Sequence, residues 1–324
     1  MRPPEFWRHP GPLPALLAPL GQLFDGAGRL RFALARPVRM PVPVLCIGNL
    51  VVGGAGKTPV TLAVAARLRA RGCAAHILSR GYGGRLRGPV RVDPARHDAA
   101  DVGDEPLLLA AAAPTWIARD RVAGARAAVA DGAALIVMDD GFQNPALAKT
   151  VSWLVIDGGY GFGNGRLMPA GPLRESVARG LARASVAVLL GADTCGIESA
   201  LNGLTLLRGR LVPDAGAVAR FAGRRIVAFA GIGRPEKFFD TLRSVGADLV
   251  DCRAFPDHHP YRAADLAAIR ERARAQNAAI VTTEKDAVRL PRELRAEVDV
   301  LTVQVRWDDE AALDRLLDGI AVDG

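Results

Sequence analysis

The sequence predicts an α/β protein of two doubly wound domains with mainly parallel sheets, and three observations predict it. Short apolar runs alternate with longer helical patterns, and glycine-rich turns close several of those runs. The alternation breaks once, around residues 204–225, and then resumes. At 324 residues the chain exceeds the commonest single-domain size and can bury two cores. Half of it is hydrophobic and 23% is charged, the composition of an ordered globular protein.

Residues 1–36 form the first unit. Leu13, Leu16, Leu17, Leu20, Leu23 and Phe24 recur at helical spacing, with Arg29, Arg31, Arg36 and Arg39 close behind. A signal peptide would need a small-residue cleavage site after the apolar stretch, and none is convincing. A helix in a membrane interface and a helix packed on its own domain both remain, and the pattern alone favours the second. No run approaches the roughly 20 apolar residues needed to span a bilayer.

Residues 37–203 form the second unit. A buried strand at 43–47 leads through a glycine-rich turn into a helix at 58–71 that stops at Gly72, with Pro59 in the first turn, where a missing N–H is harmless. Strands follow at 75–79, 134–138, 151–156 and 186–190, and a helix at 120–131. The stretch 204–225, with Leu-Leu-Arg-Gly-Arg-Leu-Val-Pro inside it, reads as the domain connection. Residues 226–324 then give a smaller α/β domain: strands at 226–230, 248–252, 279–282 and 298–305, and helices at 237–245, 263–276 and 311–317.

A net charge of +8 favours an anionic partner such as a nucleotide, a phosphorylated substrate, a nucleic acid or an acidic membrane. Aromatic residues make up only 5%, too few for interleaved base-stacking platforms, so nucleic acid is not expected. Cys46, Cys73, Cys195 and Cys252 lack the spacing of a disulfide framework or zinc site, and a reducing cytoplasm suits them.

The chemistry starts at Gly53-Gly54-Ala55-Gly56-Lys57-Thr58-Pro59. Gly56-Lys57-Thr58 match the end of the phosphate-loop consensus, whereas Val51 stands where its first glycine belongs. Glycines here let backbone N–H groups turn toward an anion at a helix N-terminus, where peptide dipoles favour negative charge. Lys57 is then placed for the β- and γ-phosphates of ATP, and Thr58 for Mg²⁺. Four apolar residues run into Asp139-Asp140, carboxylates suited to the metal at a neighbouring strand end. Asp104 and Glu105 precede an apolar helix, either as a helix cap or as a second pair dividing metal binding from orientation of an acceptor hydroxyl. His258, in Asp257-His258-His259, suits proton transfer because imidazole titrates near neutrality. Arg80, Arg119 and Arg174 lie near turns, where each is either a phosphate clamp or a solvated surface residue.

A GTPase or metallochaperone is the competing P-loop reading. Its base-reading motif needs a residue between Lys and Asp, but Lys285 and Asp286 are adjacent; its switch motif needs two residues between Asp and Gly, but Asp139-Asp140-Gly141-Phe142 puts the glycine one place early.

Taken in order, Val44-Leu45-Cys46-Ile47-Gly48-Asn49-Leu50 with the glycine loop, Ser79-Arg80-Gly81-Tyr82-Gly83, Asp101-Val102-Gly103-Asp104-Glu105-Pro106, Asp139-Asp140-Gly141-Phe142-Gln143, Pro169 to Glu175, Phe255 to His259 and Thr283-Glu284-Lys285-Asp286 resemble the tetraacyldisaccharide 4'-kinases of lipid A synthesis. The resemblance runs from the N-terminal segment to beyond residue 286. It implies two α/β/α domains joined by a short β-hairpin linker, with a P-loop fold in the first domain and the active site in the cleft. It also implies phosphorylation of the 4'-hydroxyl of a tetraacylated glucosamine disaccharide 1-phosphate, giving lipid IVA. Asp104 is then the catalytic residue paired with His258, while Glu105, Asp139 and Asp140 serve metal and phosphate. Tyr82, Arg119, Gln143, Arg174 and Glu175 match cleft-lining positions that contact substrate. The resemblance turns the N-terminal helix toward interfacial anchoring at the cytoplasmic face of a Gram-negative inner membrane, without a span. It brings no obligate protein partner.

Overall fold

The structure, a computed structural model, describes residues 4–322. After helix α1 (Pro12–Leu34), the chain builds β1 (Val44–Gly48), α2 (Lys57–Ala70), β2 (Ala75–Ser79), β3 (Val90–Arg91), α3 (Ala99–Val102), α4 (Asp104–Ala112), β4 (Thr115–Ile117), α5 (Arg121–Ala130), β5 (Leu135–Asp139), β6 (Val151–Asp157), α6 (Val177–Leu181), β7 (Val186–Leu190) and β8 (Thr205–Pro213). Next come α7 (Ala217–Phe221), β9 (Arg225–Ala230), α8 (Pro235–Ser244), β10 (Asp248–Ala254), α9 (Ala263–Ala275), β11 (Ala279–Thr283), α10 (Glu284–Ala287), α11 (Arg292–Arg295) and β12 (Asp299–Leu301), and finally β13 (Val303–Trp307) and α12 (Glu310–Val322).

Two sheets result. The larger runs β13-β8-β7-β6-β1-β5-β2-β4-β3 and is parallel except at its edges, where β13 and β3 pair antiparallel; the smaller runs β10-β9-β11-β12, all parallel. β1 is buried along its whole length, which is why it reads as an unbroken apolar run rather than an alternating one. Its side chains still divide by the pleat. Leu45 and Ile47 join the core under α2 and α12, whereas Val44 and Cys46 join the core under α5. The smaller sheet is likewise covered on both sides, by Phe221, Phe238, Phe239 and Leu242 on one and by Leu266, Ile269 and Ala273 on the other.

The chain is not divided where the sequence suggested. Residues 204–225 do not form a free connector, because β8 pairs with β7 and lengthens the larger sheet. The single strand expected at 298–305 is two: β12 completes the small sheet and β13 crosses to pair antiparallel with β8. Leu313, Leu317 and Ile320 of α12 then pack with Val60, Val64 and Leu68 of α2, so the C-terminal segment lies in the first domain's core and not in the second's. The link between domains is thus a pair of strands distant in sequence rather than a hairpin.

α1 docks unexpectedly for an amphipathic helix. Pro14, Gly21 and Asp25 are its buried residues, and Asp25 pairs with Arg179 at 3.1 Å. The leucines face outward, with Leu16 76%, Leu23 71% and Leu34 74% exposed. α1 thus does pack on its own domain, as the pattern alone favoured, but through Pro14, Gly21 and Asp25 and not through its leucines. No described helix is long and apolar enough to cross a membrane.

Candidate active site

The glycine loop connects β1 to α2 as expected. Gly56 caps α2 at φ 89°, in the left-handed region that only glycine occupies freely, and this turn brings Lys57 into the first helical position. Val51 departs from the consensus glycine because it is extended: it bridges to Leu173, the Val52 amide donates to Pro172, and the Arg174 amide donates to Leu50. That pairing carries Arg174 to the rim of the loop. The Ala55 amide, expected to serve phosphate, here donates to the Gly53 carbonyl at 3.1 Å. Lys57 Nζ donates to Asn49 Oδ1 at 3.1 Å and lies 3.6 Å from Asp140. Asn49 is wholly buried and donates onward to the Val51 carbonyl, so it braces both the lysine and the loop.

Asp139 and Asp140 end β5 beside this loop. Asp139 is 1% exposed and accepts from Thr61 of α2 at 3.0 Å. Burial, together with the charges of Glu105 and Asp140, pushes its carboxyl up to about 7 against Lys57. Asp140 shows the opposite balance: burial works against its charge, but Lys57 and Arg174 outweigh burial and hold it at about 2. Arg174 donates to both Asp140 oxygens, at 2.9 and 3.1 Å. Asp140 also sits at φ 48°, a conformation a non-glycine residue adopts only where its surroundings enforce it.

Asp104 opens α4, where the helix dipole favours a negative charge. Gly103 before it has φ 90°, and a Cβ there would stand 2.3 Å from the Tyr82 carbonyl, so only glycine lets the two segments meet. The carboxylate is 4% exposed and fully engaged. Its Oδ1 accepts from the Glu105 amide at 2.9 Å; its Oδ2 lies 3.0 Å from His258 Nδ1, 2.7 Å from Arg289 Nε and 2.6 Å from Arg289 Nη2. Burial opposes ionisation, but His258, Lys285 and Arg289 together hold Asp104 far below the usual carboxylate range. An ionised carboxylate at this distance is met by Nδ1–H, which turns Nε2 of His258 toward Lys285 at 3.4 Å.

The second domain supplies that imidazole from a braced position. His258, at φ 58°, donates its amide to the Gly231 carbonyl. Gly231 donates to Asp286 at 2.9 Å, and Tyr261 and Arg289 donate to the same oxygen at 2.8 and 3.0 Å. Lys285 reaches back across the cleft to Glu105 at 3.0 Å. Sequence reasoning quoted the segment around Lys285 and Asp286 but assigned it no role and missed Arg289, whose partners exist only once the domains meet.

The expected substrate contacts divide. Tyr82 is 65% exposed, its ring edge-on to His258 at 5.5 Å, and Arg174 lies on the rim. Gln143 is occupied internally, donating to the Asn49 carbonyl and to Glu175. Glu175 does not face the cleft: it is 1% exposed and gripped by Arg183 at 2.8 Å on both oxygens, so it holds the wall rather than touching a substrate. Arg119 is exposed in the turn before α5, while Arg121, in the first turn of α5, is buried within electrostatic reach of Asp139 and Asp140. The two arginines flank the N-cap Asp120, and the sequence does not reveal which one turns inward.

A phosphate loop with its lysine, a carboxylate pair at the adjacent strand end, and a carboxylate and imidazole brought together from two domains define a P-loop kinase. The sequence model of the family described as tetraacyldisaccharide-1-P 4'-kinase matches residues 13–321. Similar proteins named tetraacyldisaccharide 4'-kinase include one from Rhodospirillum centenum, 59% identical over 98% of this chain and 96% of its own length, and one from Rhodospirillum rubrum, 52% identical over 98% and 97%. A crystal structure of LpxK from Aquifex aeolicus in complex with ATP superposes with a TM-score of 0.75 at 25% identity, covering 95% of this chain and 99% of that one. The chain belongs to the tetraacyldisaccharide 4'-kinase family.

Proposed function

We propose that the protein transfers the γ-phosphoryl group of ATP to the 4'-hydroxyl of a tetraacylated glucosamine disaccharide 1-phosphate, forming lipid IVA. The observation that carries this reading is the meeting of Asp104 with His258 across the cleft, beside the loop that holds the donor. The acceptor oxygen attacks the γ-phosphorus, the bridging bond to ADP breaks, and the hydroxyl proton passes to the Asp104–His258 pair. Lys57 offsets charge on the transferring group. Assembly of the pair from two domains ties catalysis to a closed cleft, which excludes water and suppresses idle hydrolysis.

Thr58, Glu105, Asp139 and Asp140 are the residues that would hold Mg²⁺. They fit it: all are hard oxygen donors, and both the burial and the repulsion from Glu105 and Asp140 that raise Asp139 are what a divalent cation offsets. Among the described residues no three His, Cys, Asp or Glu side chains stand together as a complete metal cage, so these groups would supply only part of a coordination sphere that nucleotide phosphates complete. Magnesium, when bound, supplies neutralising charge at the β- and γ-phosphates.

The outward leucines of α1 support an interfacial role at the cytoplasmic face of the inner membrane, where an acylated acceptor resides. The GTPase reading loses further ground because Lys285 and Asp286, whose letters suggested a base-reading motif, are engaged with the acid–imidazole pair and its support. The test is to incubate the protein with labelled ATP, Mg²⁺ and the acylated disaccharide 1-phosphate in detergent, with GTP as a parallel donor. A 4'-phosphorylated glycolipid formed from ATP supports the proposal; nucleotide hydrolysis with unmodified glycolipid overturns it.

A further inference from the structure

The turn Gly231-Ile232-Gly233-Arg234 joins β9 to α8 and lies against the glycine loop of the other domain. A Cβ built on Gly233 would be 3.6 Å from the Gly54 amide, so the two backbones are neighbours. Arg234 reaches across the boundary: its Nη2 donates to the Gly54 carbonyl at 2.7 Å and pairs with Asp157, at the end of β6, also at 2.7 Å. Its guanidinium stacks on the Tyr160 ring at 5.0 Å. Asp157 is shared with Lys237, which forms a second close ion pair with the same oxygen. One carboxylate thus faces two cations, and the excess positive charge lies beside the phosphate loop, two residues from Gly56. A fork oriented by an aromatic face, needing no net charge from Asp157 that Lys237 does not already claim, suits a phosphate oxygen better than a neutral carbonyl.

We infer that Arg234 is a ligand to the phosphates of the bound nucleotide, supplied by the second domain, which exchanges the Gly54 carbonyl for a phosphate oxygen when ATP fills the loop. The inference rests on the proposed ATP-dependent function of that loop. It gives nucleotide a direct hold on the second domain. Since the Gly231 carbonyl also receives the His258 amide, the same turn links the donor to the base.

The test measures ATP affinity by calorimetry, with Mg²⁺ and without glycolipid, for the parent chain, Lys57→Ala, Arg234→Ala, Arg234→Lys and Asp157→Asn. Loss of a charge-assisted contact is expected to weaken ATP about tenfold or more in Arg234→Ala, with Arg234→Lys recovering part of that loss. Asp157→Asn, which frees Arg234 from its counter-charge, is expected to bind ATP at least as tightly as the parent. Equal weakening in Arg234→Ala and Asp157→Asn would show a purely structural latch and overturn the inference. ATP binding within twofold of parent in Arg234→Ala, with binding lost in Lys57→Ala, overturns it as well. Unchanged binding in Lys57→Ala removes the nucleotide reading of the loop, and the inference with it. Thermal unfolding without nucleotide confirms that each variant is folded; if Arg234→Ala is not, Arg234→Gln replaces it and carries the same expectation.

Discussion

At the scale of single residues, the site is a set of charges whose states are fixed by neighbours from distant parts of the chain. Arg289 is the clearest instance. Removing it in Arg289→Met takes a positive charge from Asp104, so the carboxyl titrates higher and the acidic limb of the kcat/KM profile moves to higher pH, by about one unit. An unmoved limb would remove Arg289 from the control of Asp104. Glu175 gives a stability counterpart. Burial opposes its charge, but Arg183, with Gln143 and Arg179, holds its pKa below the ordinary glutamate value. Its contribution is therefore complete above about pH 4.3 and fades as pH falls through the depressed native value. Glu175→Gln is expected to cost about 3 kcal/mol at pH 7 by denaturant unfolding, the cost of stranding its arginines, with the gap to parent closing in acid. The glycine loop and the carboxylate pairs were legible in the sequence because their chemistry depends on near neighbours. Asn49, Arg121, Asp286 and Arg289 were not, because each acts through a partner that only the fold supplies.

At the scale of elements, periodicity located most strands of both sheets within a residue or two, since fully buried parallel strands leave short apolar runs bounded by turns. It failed where one apolar run serves two sheets. Nothing between Leu301 and Val303 marks the crossing from β12 to β13, and only pairing with β8 separates them. Helix α1 shows a different limit: spacing revealed an apolar stripe but not which side would dock. Because Leu16, Leu20 and Leu23 are exposed, replacing all three with Gln is expected to change unfolding free energy by about 0.5 kcal/mol per site or less. The same variant is expected to lose most of its sedimentation with vesicles containing anionic lipid. Retained vesicle binding would place the lipid contact elsewhere on the molecule.

At the scale of the whole molecule, two sheets are joined through β8 and β13, and the reacting groups lie on opposite sides of the junction. Lys57, Asp104 and Asp139 belong to the larger sheet's domain, while His258, Lys285 and Arg289 come from the smaller. Groups that act as one unit lose their effect together, so removing either partner costs nearly as much as removing both. The decisive measurement is the steady-state rate of glycolipid phosphorylation for Asp104→Ala, His258→Ala and the double variant at saturating ATP. Each single replacement is expected to lower kcat by about 10²- to 10⁴-fold, the range for a positioned general base, and the double variant is expected to fall little further. Turnover within a few-fold of parent in either single variant, or losses that multiply in the double, would contradict a base shared across the two domains.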